Sequence, residues 1–317
     1  MSPPEFGVIP PQGWRLDLPE ISPAEQWRLI TEISRTAEKL GFHSIWLYDH
    51  FHTVPTVEER SCFECWSTLT ALSQHTSKIK LGQIVTCNSY RNPAYLAKIS
   101  SILDVISNGR LILGIGAGWY EHEYKGYGYP FPPPKERILM MGEAIKIIKS
   151  MWMDRTTTFH GKYYHLKNAY NYPKPVQKPR PKILVGGMGK QYTLRITAME
   201  ADIWNGYGPL STYMEALDAL KRHCRQIGRD INDIQISVRL DIVVSDTESK
   251  AEELAGSHGI TRDKWDKVIV GSPKGVYDLL RKYLDIGVTL FILYFIPPTK
   301  LEPLELFEEE VLPRFSK

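Results

Sequence analysis

No apolar run in this 317-residue chain approaches the roughly 20 residues that a helix needs to cross a bilayer. The longest, such as "LFILYF" at 290–295, have the length of buried strands. The opening "MSPPEFGVIPPQG" lacks a cationic start followed by an apolar core, so no signal peptide is expected and the expected location is cytoplasmic. Formal net charge is only +3 and no lysine/arginine tract stands out, which argues against nucleic acid or a membrane as partner. Cysteine is scarce: there are four, of which Cys62 and Cys65 form one C-x-x-C. A second pair, a histidine tandem and a thioredoxin-like strand before it are all missing, so both read as core thiols one helical turn apart. The nine histidines include no H-E-x-x-H, and no metal site is expected. A repeat of fixed period is also lacking.

What is present is an alternation of short apolar runs with segments of helical period. Apolar residues make up 43% and charged residues 24%, enough for a large core. Predicted strands lie at 6–10, 44–51, 78–86, from 111, 182–187, 201–206, 234–246 and 290–295. Between them fall helices, the first opening at Ser22-Pro23-x-Glu25, a capping-box signature with proline at the first helical position. Trp27, Ile30, Ser34, Ala37 and Leu40 recur at intervals of three and four and predict its buried face. Further helices are predicted at 64–75, 94–106, 135–153, 191–200 and 211–227. Residues 156–181, with prolines at 173, 175, 179 and 181, interrupt the pattern as an excursion with a possible hairpin. Eight apolar strands each followed by helix predict a closed (β/α)8 barrel, although a doubly wound open sheet gives a similar string.

A barrel gathers its chemistry at the C-terminal ends of its strands. The glycine-rich "LILGIGAGWYEHEY" at 111–124 is one such end. A dinucleotide-binding turn asks for a third glycine where Trp119 stands, and for a helix where "YEHEYKGYGYPFPPP" is too rich in glycine and proline. Gly116 and Gly118 instead suggest a bulky ligand approaching a strand end. Glu121 and Glu123 read as acid/base groups, as acceptors for a ligand, or as solvated loop charges. "LYDHF" puts Asp49 and His50 together at another end. Either His50 exchanges a proton there, or Asp49 caps a loop beside an exposed histidine. "VGGMGKQYT" sets glycines before a helix N-terminus, which suits a phosphate assisted by Lys190 and Thr193, or forms only a tight turn. Trp14, Trp119, Tyr120 and Phe51 suggest an apolar lining.

Together these segments resemble the bacterial luciferase-like superfamily of flavin- and deazaflavin-dependent oxidoreductases. The resemblance covers nearly the whole chain through "FGVIPPQG", "GFHSIWLYDHF", "LGQIVTCNSYRNPAYLAKISSILDVISNGRLILGIGAGWYEHEYKGYGYPFP", "FHGKYYHL" and "KPRPKILVGGMGKQYTLRITAMEADIWN". The "GAGWYEHEYKGYGYPFP" form is most similar to the branch that uses coenzyme F420, with FMN as the alternative cofactor.

That resemblance implies a single TIM-barrel domain over 1–317, with insertions near 118–134 and 156–181 covering the C-terminal face, and a homodimer. It implies a strand bulge with a non-prolyl cis peptide at Ile84-Val85 behind the cofactor ring. Asp49 and His50 are then expected beside the ring, with His50 as general acid/base and Asp49 and Glu121 as further catalytic candidates. Thr86, Cys87 and Asn88 are expected at its polar edge. Ala117, Gly118, Trp119 and Glu123 belong on the phosphoribityl side, and Gly186, Gly187, Met188, Gly189 and Lys190 at the phosphate. The implied activity is hydride transfer between F420 and a small, largely apolar organic substrate. Monooxygenation with reduced FMN and oxygen, or a non-catalytic flavin-binding role, are the alternatives.

Overall fold

A computed structural model describes residues 3–315. The chain opens with β1 (Glu5–Val8), α1 (Pro23–Lys39), β2 (Ser44–Leu47), α2 (Cys65–His75) and β3 (Lys80–Gln83). After a break comes the two-residue β4 (Thr86–Cys87), and α3 (Pro93–Ile106) then leads to β5 (Leu111–Gly116). A short α4 (Glu121–Gly126) and the long α5 (Pro134–Met153) precede an antiparallel hairpin of β6 (Thr157–His160) and β7 (His165–Ala169). The alternation resumes with β8 (Lys182–Gly186), α6 (Thr193–Glu200), β9 (Ile203–Tyr207), α7 (Leu210–Gln226) and β10 (Gln235–Val244). Next are α8 (Glu248–Ser257), β11 (Val268–Gly271), α9 (Pro273–Asp285), β12 (Leu290–Phe295) and α10 (Glu302–Glu310).

Parallel pairing runs from β1 through β2, β3, β5, β8, β9, β10 and β12 and returns to β1, closing the expected (β/α)8 barrel. Residues of β5 and β12 are buried along their whole length, as strands covered on both faces require. Successive side chains alternate between two layers. Trp46, Ile112, Leu184 and Ile292 fill the barrel interior, whereas Ile45, Leu47, Leu113, Val185 and Leu293 pack outward beneath the helices. A side chain at either Gly7 or Gly82 would run into the Trp46 indole, so both glycines make room for that ring. On α1 the Ser22–Glu25 capping box is formed, and Ile30, Ser34 and Ala37 are buried as predicted.

Three local differences from the sequence reading, and one expected feature, the cis peptide at Ile84–Val85, matter for the site. β2 ends at Leu47, leaving Asp49 and His50 in the loop beyond it. The third barrel strand breaks at the Ile84–Val85 peptide, which is cis, before β4 resumes pairing with β5. The segment after the glycine loop does form a helix, α4, although glycine and proline were expected to prevent it. β11 was not predicted at all: it pairs with Asp241–Val244 of β10, while residues 235–239 of β10 pair with β9. β9 and β10 therefore part toward the mouth of the barrel.

Segment 118–134 lies at that mouth. Segment 156–181 reaches Asn88 behind the wall of the mouth through the Tyr164 hydroxyl and runs along α3 and α5: Asn171 Nδ2 donates to Ser101 Oγ and the Met151 carbonyl, and Gln177 Nε2 donates to Asp104 and to the Leu111 carbonyl at the start of β5. Among the described residues no helix is long and apolar enough to cross a membrane.

Candidate active site

Where the strand C-termini converge, they surround a cleft of about 560 Å³. Its lining includes Trp14 after β1, His50 after β2, Val85 and Cys87 at the strand break, Gly116–Trp119 after β5, Gly186 and Gly187 after β8, and Arg239 on β10. Such a volume lies within the usual range of cofactor and ligand clefts, roughly 300–1,000 Å³. A wider basin of about 1380 Å³ lies at the opposite end, around Glu5, Lys182 and Gln235, the residues that open β1, β8 and β10. The mouth is the end at which barrels carry chemistry.

The most tightly determined side chain in the cleft is His50. Its Nδ1 lies 2.8 Å from Glu123 Oε2, and its ring stacks on Trp14 with centroids 4.2 Å apart and planes 3° apart. Trp119 and Tyr120 crowd its outer edge at 6.0 and 6.2 Å. Glu123 is fully buried and accepts three further bonds, from the Tyr90 hydroxyl at 2.7 Å, the Phe51 N–H at 2.7 Å and the His52 N–H at 3.4 Å. Burial pushes its carboxyl upward, but His50, the Phe51 amide and Tyr90 together outweigh that and hold it below the ordinary carboxylate value. An ionised carboxylate only accepts, so Nδ1 carries the imidazole proton and Nε2 is left for the cleft. The short α4 makes this possible, because it turns Glu123 and Tyr124 inward.

Asp49 is equally buried but differently engaged. Arg91 donates to both of its oxygens, at 2.6 and 2.9 Å, and the Cys87 N–H donates to Oδ2 at 2.8 Å. This carboxylate pins β4 beside the loop after β2. The Cys87 thiol beside it is buried and pushed up to about 12, so it stays protonated. Three polar groups of this wall are buried without a partner: Gln83 Nε2, Thr86 Oγ1 and Asn88 Oδ1. Each such group costs about 1–3 kcal/mol when left unpaired, and all three residues lie behind the cleft lining rather than in it.

The glycines of the mouth have mixed reasons. At Gly116 an added Cβ would lie 2.5 Å from Val85 Cγ2, and at Gly118, with φ of +78°, it would meet the Tyr124 hydroxyl and Cys87. The close approach predicted for a ligand is therefore made by the protein's own side chains. Beyond β8, Gly187 has φ of +132° and donates its N–H to the Asn205 carbonyl. α6 then begins without a side-chain cap, its Leu194 N–H donating to the Gly189 carbonyl at 3.0 Å, and its first residue Thr193 lines the cleft.

Several sequence-level candidates fall elsewhere. Glu121 lies on the outer side of α4, half-exposed and paired with Lys125 at 3.0 Å, because a helix turns residues two apart to different faces. Lys190 is also exposed and bonds Glu215 at 2.7 Å, away from the cleft. Met188 packs toward Tyr207, whose N–H lies 3.4 Å from its sulfur, and neither Met188 nor Gly189 lines the cleft. Thr86 and Asn88 are buried behind the lining, with Asn88 Nδ2 donating to the Tyr164 hydroxyl at 3.2 Å. Ile84, Val85, Cys87, Ala117, Gly118, Trp119, Gly186 and Gly187 line it alongside Asp49 and His50.

Sequence reasoning missed Arg15, Tyr90, Arg91, Arg137 and Arg239. Arg137 of α5 donates to the Gly118 and Pro132 carbonyls and stacks over Phe131 at 4.0 Å, adding positive charge to the glycine side. Arg239 had a legible signal: in "ISVRLDIVV" it and Asp241 stand two apart in an otherwise apolar strand, which puts both charges on one face. Among the described residues no group of three His, Cys, Asp or Glu side chains gathers as a metal site would.

A family model described as luciferase-like monooxygenase matches residues 8–270. The F420-dependent glucose-6-phosphate dehydrogenase of Amycolatopsis mediterranei is 26% identical over 324 aligned positions, covering 92% of this chain and 96% of the relative. The enzyme of the same name from Kineococcus radiotolerans is 30% identical over 246 positions, covering 76% and 70%. An F420-dependent secondary alcohol dehydrogenase, solved with an F420–acetone adduct, superposes with a TM-score of 0.80 at 20% identity over 98% of both chains.

Proposed function

The chain belongs to the luciferase-like monooxygenase family, and from that premise we propose that it is a coenzyme F420-dependent oxidoreductase acting on a small organic molecule. The observation that carries this reading is His50, held at Nδ1 by the buried Glu123 and opening Nε2 into the cleft. The relatives named as F420-dependent dehydrogenases support the choice of cofactor.

The residues fit such a group. Asp49, Ile84, Val85 and Cys87, backed by the buried Gln83, Thr86 and Asn88, would receive the ring. Ala117, Gly118 and Trp119 would flank the ribityl chain. Gly186, Gly187, Thr193 and the uncapped start of α6 would take the phosphate, with Arg137 adding positive charge. Bound there, the deazaflavin supplies hydride transfer at one ring carbon. His50 Nε2 takes the proton from a substrate hydroxyl oxygen, and returns it to a carbonyl oxygen in the reverse direction. Glu123 keeps Nδ1 protonated and stabilises the imidazolium that forms. Trp14 fixes the plane of the imidazole, and Trp119 and Tyr120 limit water at its outer edge. Trp14, Ile138 and Trp119 give the substrate an apolar wall. The homodimer belongs to the same reading, and a monomeric mass by light scattering would overturn it.

The test is a titration of the purified chain with F420 and with FMN, followed by quenching of each cofactor's emission. Tight F420 binding with weak FMN binding is expected. The reverse preference overturns this assignment in favour of oxygen chemistry with reduced FMN, and binding of neither removes the cofactor altogether.

A further inference from the structure

Across the mouth from the two glycine loops, the wall carries a second concentration of charge that the proton-transfer machinery does not use. Arg15, from the loop after β1, donates from Nη1 and Nη2 to the two oxygens of Asp241 at 2.9 and 3.0 Å. Arg239, on β10 beside it, donates from Nη2 to Asp241 Oδ1 at 2.5 Å and from Nε to the Tyr48 hydroxyl at 3.0 Å. Two guanidinium groups thus share one carboxylate. The Asp17 carboxyl, at the hydroxyl end of Tyr294, bonds neither of them: it accepts from the Gly13 N–H, the Gln12 N–H and Tyr294. Among the described residues, Arg239 Nη1 has no acceptor. Both arginine side chains are partly screened, at 29% and 23% exposure, and both line the cleft.

This arrangement is rigid and incomplete. Arg15 lies over the Tyr294 ring at 4.2 Å, and Arg239 is fixed by Tyr48. A planar guanidinium with a free edge, held in a half-desolvated wall, is suited to an oxyanion. Among the directly bonded groups Asp241 offsets one of the two cations, which leaves one positive charge in the cluster, while the Asp17 carboxyl is held apart by its own donors. The site is also separate from the expected phosphate seat. Around the barrel, β10 and β1 flank β12, whereas the glycine loops follow β5 and β8 on the other side. Between Arg239 and His50 the wall consists of Tyr48 and Trp14, whose rings touch at a centroid distance of 4.4 Å.

We propose that Arg239 and Arg15 form a carboxylate subsite, so that the substrate is a small monocarboxylic acid whose alcohol or carbonyl group reaches His50 while its apolar body lies along Trp14. The proposal rests on the reading of His50 as the proton-transfer group. It separates this chain from its sugar-phosphate relatives, because a phosphate dianion would leave the Arg15–Arg239–Asp241 cluster with excess negative charge.

The experiment is calorimetric titration of the full chain, with and without F420, using 3-phenylpropanoate, 3-phenylpropanamide and 3-phenylpropyl phosphate as probes. The carboxylate is expected to bind at least about tenfold more tightly than the amide, the size of one charge-assisted hydrogen bond, and more tightly than the phosphate. Arg239→Gln should remove that preference while leaving the amide's affinity in place, and Arg239→Lys should restore part of it. Should Arg239→Gln fail to fold, the wild-type protein still decides, since added salt must weaken the carboxylate and leave the amide unchanged. Equal affinity for carboxylate and amide, preference for the phosphate, or no carboxylate binding at millimolar concentration overturns the subsite. A retained carboxylate preference in a protein that fails to bind F420 upholds the subsite and overturns only the cofactor assignment.

Discussion

Glutamine at position 123 is the most informative single change in the site, because it keeps the shape of the side chain and removes only its charge. Glu123 Oε1 takes two backbone N–H groups, which an amide oxygen still accepts, while Oε2 takes His50 Nδ1 and the Tyr90 hydroxyl. An NH2 in place of Oε2 meets two groups that both donate in the wild type, so one must rotate away or the imidazole must change tautomer. Hydrogen bonds to a charged acceptor contribute about 1.5–3 kcal/mol and neutral ones about 1, which puts the loss at roughly 2–4 kcal/mol. With an unfolding entropy of about 2.1 cal/mol/K per residue over the 317 residues, that is a fall in Tm of about 3–6 °C.

The pH dependence of that loss has a definite sign. Folded Glu123 titrates below its ordinary value of 4.5, so its contribution is complete above about pH 4.5 and disappears as pH falls through the lower folded value. Melting curves of both proteins should therefore stand apart at neutral pH and converge in acid. Turnover should fall by about 10²- to 10⁴-fold, by analogy with carboxylate-to-amide exchange behind the histidine of a serine protease, with F420 affinity little changed. A variant that melts like the wild type at neutral pH, or a gap that stays open in acid, refutes the account of the pair.

His50→Ala should lower turnover by about 10²-fold or more while weakening F420 binding far less, and equal losses in a kinetic and a fluorescence titration would make His50 a ring contact only. Arg91→Ala leaves Asp49 buried with only the Cys87 amide as partner, and should cost about 3–5 kcal/mol in denaturant unfolding; near-native stability would show that the ion pair is dispensable. Because burial pushes the Cys87 thiol up to about 12, iodoacetamide near neutral pH should leave it unmodified in the folded protein and label it after unfolding. Rapid labelling of the folded protein would contradict its burial.

What could be read from the sequence was what local pattern encodes. Continuous apolar strands alternating with amphipathic helices require a barrel, and a barrel brings strand ends together, so His50, Gly118 and Gly187 could be assigned to one mouth although their separations in sequence are large. Glu121 and Glu123 show where that reasoning stops. As loop residues they are equivalent, and only the turn of α4 sends one to Lys125 in solvent and the other under His50. The glycine- and proline-rich composition around them argued against a helix, and tertiary burial of Tyr124 outweighed that weak local preference. The arginines mark a second limit. Arg15 and Asp241 are 226 positions apart, and their pairing depends on β12 bringing β1 and β10 to either side of it, a property of closure that no window of sequence contains. Yet the Arg-x-Asp alternation inside β10 was visible, and an apolar strand that keeps two charges on its inner face has to pair them or use them. Asp241 pairs with both Arg239 and Arg15, so two guanidinium groups share that one carboxylate.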